Sequence, residues 1–402
     1  MSTQSLYAHR ASRAVVATAG LTLLFGWMFT SAWAEPGERL PAHGSAAPPS
    51  GPTSVSVRRR SHSSSPTGPS PVEFWCDQSW QTGLHLLDSG SESLVMSRDG
   101  WLHTLAGTQR EAGLRAAREP FQVASASEVR NRLRAEFGKQ FEVVATNQFL
   151  VVQPRGRGRR WPDLFENSHR VFVDFMRKRG VQVRQGRFPM VAVVMPDARA
   201  MYSEFDRLGL DVGRVSGLYA NRCNRVMTHD GGSLASIAAT VRHEAAHQSA
   251  FNTGVHSRVN DTPGWITEGI GQLFEPPAMA DGVNVTRLDE RVNQESLQQL
   301  RRHMDLNDPA AVHRIVHRLV TGDEMFQDPS TVHTAYAMAW AMMFYLSEKQ
   351  TEQFADLLNF TSTRAPFETY LPGQRRIDFE RVTGQELRMF AARLTGFLSG
   401  LN

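Results

Sequence analysis

The sequence predicts an α+β fold, in which a lobe that contains a sheet precedes a mainly helical lobe. Short runs of apolar residues at positions 141–144, 149–152 and 190–195 have the length and composition of strands. Apolar residues at the three- and four-residue spacing of helices lie between these runs and follow them along the chain. Strands mixed with helices and then followed by helices are typical of an α+β protein.

The segment before this lobe is predicted to be small and rich in β structure. Short apolar alternations at residues 94–96 and 101–103 indicate short strands. Ser125 and Glu128 have the spacing of a capping box, in which each side chain accepts a hydrogen bond from the other's backbone amide. A helix is therefore predicted to begin after Ser125 and to end at Gly138.

Within the lobe, the predicted elements lead to one long helix. Helices are predicted over residues 164–179 and 199–208, and a strand around residues 218–228. Residues 230–233 have turn chemistry and end in Ser233, a suitable N-cap residue. Apolar residues follow at helical spacing, namely Leu234, Ile237, Ala238, Val241 and Ala245. A helix with a buried face is therefore predicted after Ser233.

That helix contains an H-E-x-x-H motif, His243-Glu244-Ala245-Ala246-His247. Positions four apart lie on one face of a helix, so His243 and His247 can reach one metal ion while Glu244 points to a metal-bound water. The motif alone is only moderately specific, because so short a pattern also arises by chance. Whether the motif forms a metal site must therefore be judged from the surrounding sequence.

A carboxylate for the same ion lies on the next predicted helix, over residues 265–275. Catalytic zinc takes three protein ligands and keeps one position open, and two histidines with one glutamate are an established set. Glu268 is therefore the predicted third ligand, with a carboxylate that only interacts with its helix dipole as the alternative. Glu275, at the end of this segment, either supports the site or is a solvated charge.

These motifs resemble those of the gluzincins, metallopeptidases with H-E-x-x-H on one helix and a ligating glutamate on the next. Residues 263–271 are similar to the P-x-W-[IL]-x-E-G-[IL]-A signature of the exported bacterial peptidase-MA-like proteins, with Gly271 in place of the alanine. Residues 335–346 resemble the Y-x-x-[AS]-W helix of that family, and the likeness extends to residues 379–394. It implies a zincin-like catalytic lobe over residues 139–280.

The resemblance implies zinc-dependent hydrolysis of peptide bonds in a peptide or protein substrate. Zn2+ held by His243, His247 and Glu268 would polarise the scissile carbonyl, with Glu244 as the general base. The oxyanion needs a further donor. Tyr336 is the candidate, because the family's downstream tyrosine has a comparable motif; a tyrosine of the helix core is the alternative, and His333 is a weaker candidate donor.

The resemblance also suggests how an extended substrate is bound. In zincins the strand before the metal-binding helix is commonly an edge strand that pairs with the substrate backbone, and residues 217–221 have that position. This segment lacks the glutamate with which gluzincin aminopeptidases hold a free amino terminus. An endopeptidase is therefore expected rather than an aminopeptidase.

The metzincin class is excluded by spacing. Its longer motif needs glycine at position 250 and histidine at position 253, where this chain has Ala250 and Thr253. His256 follows in a segment with the character of a loop, and the sequence predicts a surface histidine there rather than a ligand.

Length, composition and charge are compatible with an enzyme and do not indicate nucleic-acid binding. The 402 residues are 41% hydrophobic, enough for a sizeable core, and the net charge is only +4. The arginine run at residues 155–160 is short and is predicted to be a solvated loop. Two other readings stay open: a metal-binding envelope module without proteolytic activity, and a basic envelope protein that binds an anionic polymer.

The N-terminus predicts export to the periplasm or the medium. An apolar run over residues 14–30 follows Arg10 and Arg13 and precedes Ala32-Trp33-Ala34, an A-x-A cleavage site. An uncleaved membrane anchor is the alternative. The chain is thus divided into a signal peptide (1–34), a tether rich in Pro, Ser and Gly (35–72), a lead-in region (73–138), the catalytic lobe (139–280) and a helical C-terminal lobe (281–402).

The sequence has two cysteines, Cys76 and Cys223. An exported compartment permits a disulfide between them, which would tie the lead-in region to the predicted edge strand. Sequence spacing cannot show that the two thiols meet, so a bridge and two separate thiols both remain open.

Overall fold

The computed structural model describes residues 69–213, 215–281 and 287–401. The predicted signal peptide, residues 1–34, lies outside the described residues, as does most of the predicted tether. The first strand begins at Ser70, inside the stretch assigned to the tether. Among the described residues, no helix combines the length and the apolar character needed to cross a membrane.

The first part of the described chain contains an antiparallel sheet, in the region where the alternating segments predict β structure. Its strands lie in the order β4-β3-β2-β1-β5, and Val72 and Phe74 of β1 point into the core beneath it. The elements are β1 (Ser70–Cys76), β2 (Ser79–Ser89), β3 (Glu92–Ser97), β4 (Leu102–Ala106), α1 (Thr108–Gly113) and β5 (Leu114–Ala116).

A second, mixed sheet follows, and with the helices after it the chain has the predicted α+β architecture. Its strand order is β6-β7-β8-β10-β9; β8 is parallel to both of its neighbours, and the two outer pairs are antiparallel. The elements are α2 (Ala126–Phe137), β6 (Phe141–Ala145), β7 (Phe149–Pro154), α3 (Arg160–Lys178), β8 (Met190–Met195), α4 (Ala198–Leu208), β9 (Gly217–Ala220) and β10 (Arg225–His229).

Two local predictions, the capping box at Ser125 and the strand around residues 218–228, can be compared with the structure. Ser125 and Glu128 form the capping box that starts α2, which ends at Gly138 as predicted. The single strand predicted around residues 218–228 is wrong, because β9 and β10 are two antiparallel strands joined by a tight turn. Asn224 closes that turn with a φ of 56°, a left-handed conformation that asparagine tolerates better than most residues.

The regular elements in the rest of the described chain are helices. Ser233 caps α5 by accepting a hydrogen bond from the amide of Ser236, as its sequence predicts. The helices are α5 (Leu234–Thr253), α6 (Gly264–Phe274), α7 (Ala278–Asp281), α8 (Gln294–His303), α9 (Pro309–Thr321), α10 (Glu324–Gln327), α11 (Val332–Lys349), α12 (Thr351–Ser362), α13 (Pro372–Thr383) and α14 (Leu387–Ser399).

The largest core cluster joins α6 to the C-terminal helices, and α6 lies directly against α11. Gly269 is at this contact: a Cβ atom placed there would lie 2.5 Å from the carbonyl oxygen of Ala339 and 2.5 Å from Cγ of Met343. No side chain fits at those distances, so the two helices can approach this closely only because position 269 is glycine.

We expect Gly269→Ala to lower the free energy of unfolding by about 1–3 kcal/mol, because the added methyl group forces α6 and α11 apart. Gly396→Ala in α14 is the matched control, since a Cβ there meets no atom within 4 Å. Replacing a helical glycine by alanine at such a site stabilises by roughly 0.5–1 kcal/mol. Denaturant unfolding of both variants checks the pair; equal effects on stability would contradict the packing argument.

Candidate metal centre

The two histidines of the H-E-x-x-H motif meet inside the protein. His243 and His247 lie one turn apart on α5, and both rings are buried. Their Nε2 atoms are 2.9 Å apart, and the ring planes are close to perpendicular, at 79°. Two Nε2 atoms aimed at one point on the same helix face are the arrangement that the motif spacing predicts for metal binding.

Glu268 of α6 completes the group. Its Oε2 lies 3.4 Å from Nε2 of His243 and 3.7 Å from Nε2 of His247. One ligand atom from each of the three residues fits within 4.8 Å, and among the described residues no other such group of three or more His, Cys, Asp or Glu side chains occurs. The structure therefore brings together the three side chains that the sequence predicts as metal ligands.

The charge of Glu268 fits a cation at this position. Its carboxylate is buried, and neither oxygen meets a hydrogen-bond donor with suitable geometry among the described residues. Burial alone would raise the pKa of Glu268, but the imidazoles of His247 and His243 outweigh it and lower that pKa to about 2. A buried carboxylate without donors is costly unless it is paired, and a metal ion held with the two histidines would pair it.

Glu275, whose role the sequence leaves open, lies beside the site. Its Oε1 is 2.8 Å from Nδ1 of His243, and the side chain is buried. An ionised carboxylate can only accept, so the Nδ1–H group of His243 donates this bond, which in the neutral ring leaves the lone pair on Nε2. This is the arrangement in which an outer carboxylate orients a metal-binding histidine.

The backbone of α6 packs directly on the ring of His243. A Cβ atom at Gly271 would lie 2.5 Å from Nε2 and from Cε1 of His243. The peptidase-MA-like signature has alanine at this position, so the substitution that looks conservative in sequence has a steric reason in this chain. With glycine, the imidazole can lie against the helix backbone.

Glu244 points toward the edge of the second sheet. Its Oε2 accepts a hydrogen bond from the amide of Tyr219 at 2.7 Å. Tyr219 belongs to β9, which is the last strand of the sheet, as predicted for this segment. All four residues of β9 are buried, so the edge strand is covered in this structure. The predicted general base thus extends from α5 toward the predicted substrate-binding strand.

Tyr336 and His333 lie at the beginning of α11. Tyr336 is 8% exposed, and its ring packs edge-on against Phe326 with centroids 5.3 Å apart. Phe326 also contacts the start of α6 at Gly264, which places Tyr336 beside the N-terminal end of the helix that carries Glu268. His333 is exposed. The structure therefore places Tyr336 in the core at the beginning of α11.

The prediction of a surface position for His256 is wrong. The residue is 1% exposed, and both ring nitrogens lack a hydrogen-bond partner among the described residues. Burial, with the charge of His247, lowers the pKa of His256 to about 3, so the ring is neutral. Gly254 ends α5 in the left-handed conformation, and the amide of His256 donates a hydrogen bond to the carbonyl of Ala250 in the last turn of the helix. A glycine at that position is the sequence signal for this kind of helix end.

Asn293 is a residue near the site that the sequence does not reveal. Its Nδ2 donates a hydrogen bond to Oε2 of Glu275 at 2.8 Å, from the residue just before α8. Its capping position before α8 is readable from sequence, because asparagine is a preferred N-cap residue. Its contact with Glu275 has no sequence signal, because it joins two segments that are remote along the chain.

Neither the cysteines nor the arginine run belongs to the group of His243, His247 and Glu268. Cys76 and Cys223 are free thiols, and Cys223 lies in the turn after β9 and not on the predicted strand. In the arginine run, Arg157 pairs with Asp230 at 2.9 Å and Arg159 with Asp163 at 2.9 Å. These pairs within the chain agree with the predicted connecting loop.

The candidate site lies within a segment of the chain that matches a known family model. Residues 237–368 match the model of a family described as "Protein of unknown function (DUF1570)". None of the curated proteins compared with the chain matches it. The matched segment contains both histidines, Glu244, Glu268 and Tyr336, so the chain is similar to this family over the part that forms the site.

We expect Glu268→Ala to remove most of the divalent metal that the purified protein retains, because a catalytic site of this type needs three protein ligands. Metal content per chain, measured by mass spectrometry after dialysis, checks this. Glu352→Ala is the control, since Glu352 is an exposed carboxylate in the first turn of α12. Full metal content in the Glu268 variant would rule out this carboxylate as a ligand.

Proposed function

We propose that the protein is a zinc-dependent peptidase of the gluzincin type. The observation that carries the proposal is the buried group of His243, His247 and Glu268, with Glu244 on the same helix between the two histidines. Two nitrogen ligands and one carboxylate are a set used by catalytic zinc. The H-E-x-x-H signature, the match of residues 263–271 to the peptidase-MA-like signature and the position of β9 support the same function.

Different residues of the chain have different roles in the proposed hydrolysis. Zn2+ bound by the three side chains would supply Lewis acidity to the scissile carbonyl and to a water molecule. Glu244 accepts a proton from the water on its carboxylate and then donates it to the nitrogen of the leaving amine. Glu275 accepts the Nδ1–H of His243 throughout and keeps that ring in the tautomer with a free Nε2.

Strand β9 provides the binding edge for an extended substrate. The amide of Tyr219 points away from β10 toward Glu244, so the edge of β9 that is not paired with β10 faces the candidate site, where the Glu244 carboxylate now binds it. A peptide that paired with this edge would bring its scissile bond next to Glu244. With no glutamate on β9 to hold a free amino terminus, we favour an endopeptidase.

Tyr336 is proposed as the donor that stabilises the oxyanion, with His333 as the alternative. Support comes from the similarity of residues 335–346 to the family helix and from the position of Tyr336 beside the start of α6. Together with the predicted signal peptide, these assignments describe an exported enzyme that acts on peptides or proteins outside the cytoplasm, with attachment through an uncleaved N-terminal segment as the alternative.

One observation favours the second candidate function, a metal-binding module without proteolytic activity. The exposed fraction of His243, Glu244 and Glu268 is 0%. A substrate can reach these side chains only if the residues that cover them move, and a metal site that is purely structural needs no such movement. The two candidates differ in whether Glu244 takes part in turnover.

We expect Glu244→Gln to keep the bound metal and to lower peptide hydrolysis at least about a hundredfold, because an amide cannot accept the water proton at neutral pH. A digest of a proteome-derived peptide library, run with the wild-type protein and with this variant, measures the effect. Peptide hydrolysis of equal rate by both proteins would contradict the peptidase mechanism, and its absence in both would favour the binding module.

For Tyr336→Phe, the two roles of the tyrosine predict different results. A core tyrosine loses about 1 kcal/mol of stability with its hydrogen bond and keeps its kcat. An oxyanion donor acts in the transition state, so we expect kcat to fall about a hundredfold with KM and metal content nearly unchanged. Steady-state kinetics on a cleaved peptide, beside thermal melts, separate the two; a wild-type kcat removes Tyr336 from the site.

A further inference from the structure

A buried polar network connects His243 to the helical part of the chain. It contains Glu275 at the end of α6, Gln272 one turn earlier, and Asn293 and Ser296 at the start of α8. Asn293 is only 5% exposed. Each polar group in such a place must find a partner, because an unpaired buried polar group costs about 1–3 kcal/mol.

The side-chain amide of Asn293 both accepts and donates hydrogen bonds. Its Oδ1 accepts the amide of Ser296 at 3.1 Å, which caps α8. Its Nδ2 donates to Oε2 of Glu275 at 2.8 Å and to Oε1 of Gln272 at 3.0 Å. The hydroxyl of Ser296 donates to the same Gln272 oxygen at 2.8 Å. The Asn293 side chain therefore caps α8 and also binds two residues at the end of α6, Gln272 and Glu275.

Glu275 is held at both of its carboxylate oxygens. Oε1 accepts from Nδ1 of His243, and Oε2 accepts from Nδ2 of Asn293. The guanidinium of Arg242 donates through Nε to the backbone carbonyl of Glu275 at 2.8 Å. A carboxylate held at both oxygens cannot rotate freely, so the direction of its bond to His243 depends on Asn293.

We propose that Asn293 is a positioning residue that orients His243 through Glu275, and that metal binding at His243 is coupled to the attachment of α8. The inference rests on the metal-binding part of the proposed function. The hydrogen bonds of Asn293 go to Gln272, Glu275 and Ser296 and not to the three proposed ligands. It acts by keeping the Glu275 carboxylate in the position where His243 presents Nε2 to the ion.

Coupling of this kind acts in both directions. If the Asn293–Glu275 bond helps to orient His243 for metal, then bound metal must also strengthen the attachment of α8 by the same factor. Hydrogen exchange at the first turn of α8 should therefore slow when the apoprotein is loaded with zinc. A merely structural asparagine would protect this turn equally with and without metal.

The variants Asn293→Asp and Asn293→Ser separate capping from positioning. Both replacements are good N-cap residues and preserve the start of α8. Neither offers the amide donor to Glu275: aspartate places a second carboxylate there, and serine is too short. Asp308→Ala is the control, because it removes the cap of α9, where Asp308 accepts the amide of Ala310, without touching the network.

Zinc affinity of the full-length apoproteins, measured by competition with a chromophoric chelator, tests the proposal. Loss of a partner of this type typically weakens metal affinity 10- to 100-fold, and we expect this for both Asn293 variants and a wild-type value for Asp308→Ala. The zinc-dependent slowing of exchange in α8 should disappear, and the visible spectrum of the cobalt-substituted protein should change.

Two results would overturn the proposal. One is an affinity within about twofold of wild type in the folded serine variant. The other is weakening in the aspartate variant alone, which would trace the effect to charge repulsion. If the wild-type protein itself binds no zinc, the proposed function fails; if it binds zinc and the variants bind equally well, only the role of Asn293 fails.

Discussion

The candidate site depends on one constraint, the burial of a charged carboxylate between two imidazoles inside an apolar core. Glu268 has no hydrogen-bond donor of suitable geometry among the described residues, and its low pKa keeps it ionised. An unpaired charge at this depth would cost several kcal/mol, so the nearby histidines help to make the position tolerable, and a bound cation would pair the charge directly. The packing of α5 and α6 has to keep these groups together.

Close helix packing makes this arrangement possible. Gly269 lets α6 lie against α11, and Gly271, almost on the opposite face, lets the same helix lie against the ring of His243. Helix α6 therefore contacts the core on one side and α5 on the other, with Glu268 between these contacts. Because protein interiors are densely packed, a shift of α6 at either contact would move the carboxylate relative to both imidazoles.

The site draws on both parts of the chain after the first sheet. The mixed sheet contributes the amide of Tyr219, which holds Glu244, while the helical part contributes Asn293, which holds Glu275. The two carboxylates on either side of the histidines thus have partners from different segments. His256, a buried neutral histidine, is near enough to interact electrostatically with His247 and Glu268, and neither of its ring nitrogens has a partner among the described residues. The chemistry of the site depends on how these segments pack.

The local sequence determined those elements whose sequence signals lie within a few residues of one another. The capping box at Ser125, the cap at Ser233 and the spacing of His243 and His247 depend on helix geometry alone, and the structure has each of them. Contacts between distant segments were decided by tertiary packing. The split of residues 218–228 into two strands and the burial of His256 follow from such contacts, and so do the bonds from Glu275 to His243 and Asn293. Periodicity reports which face of an element is buried, but it does not report which residue of another element will meet that face.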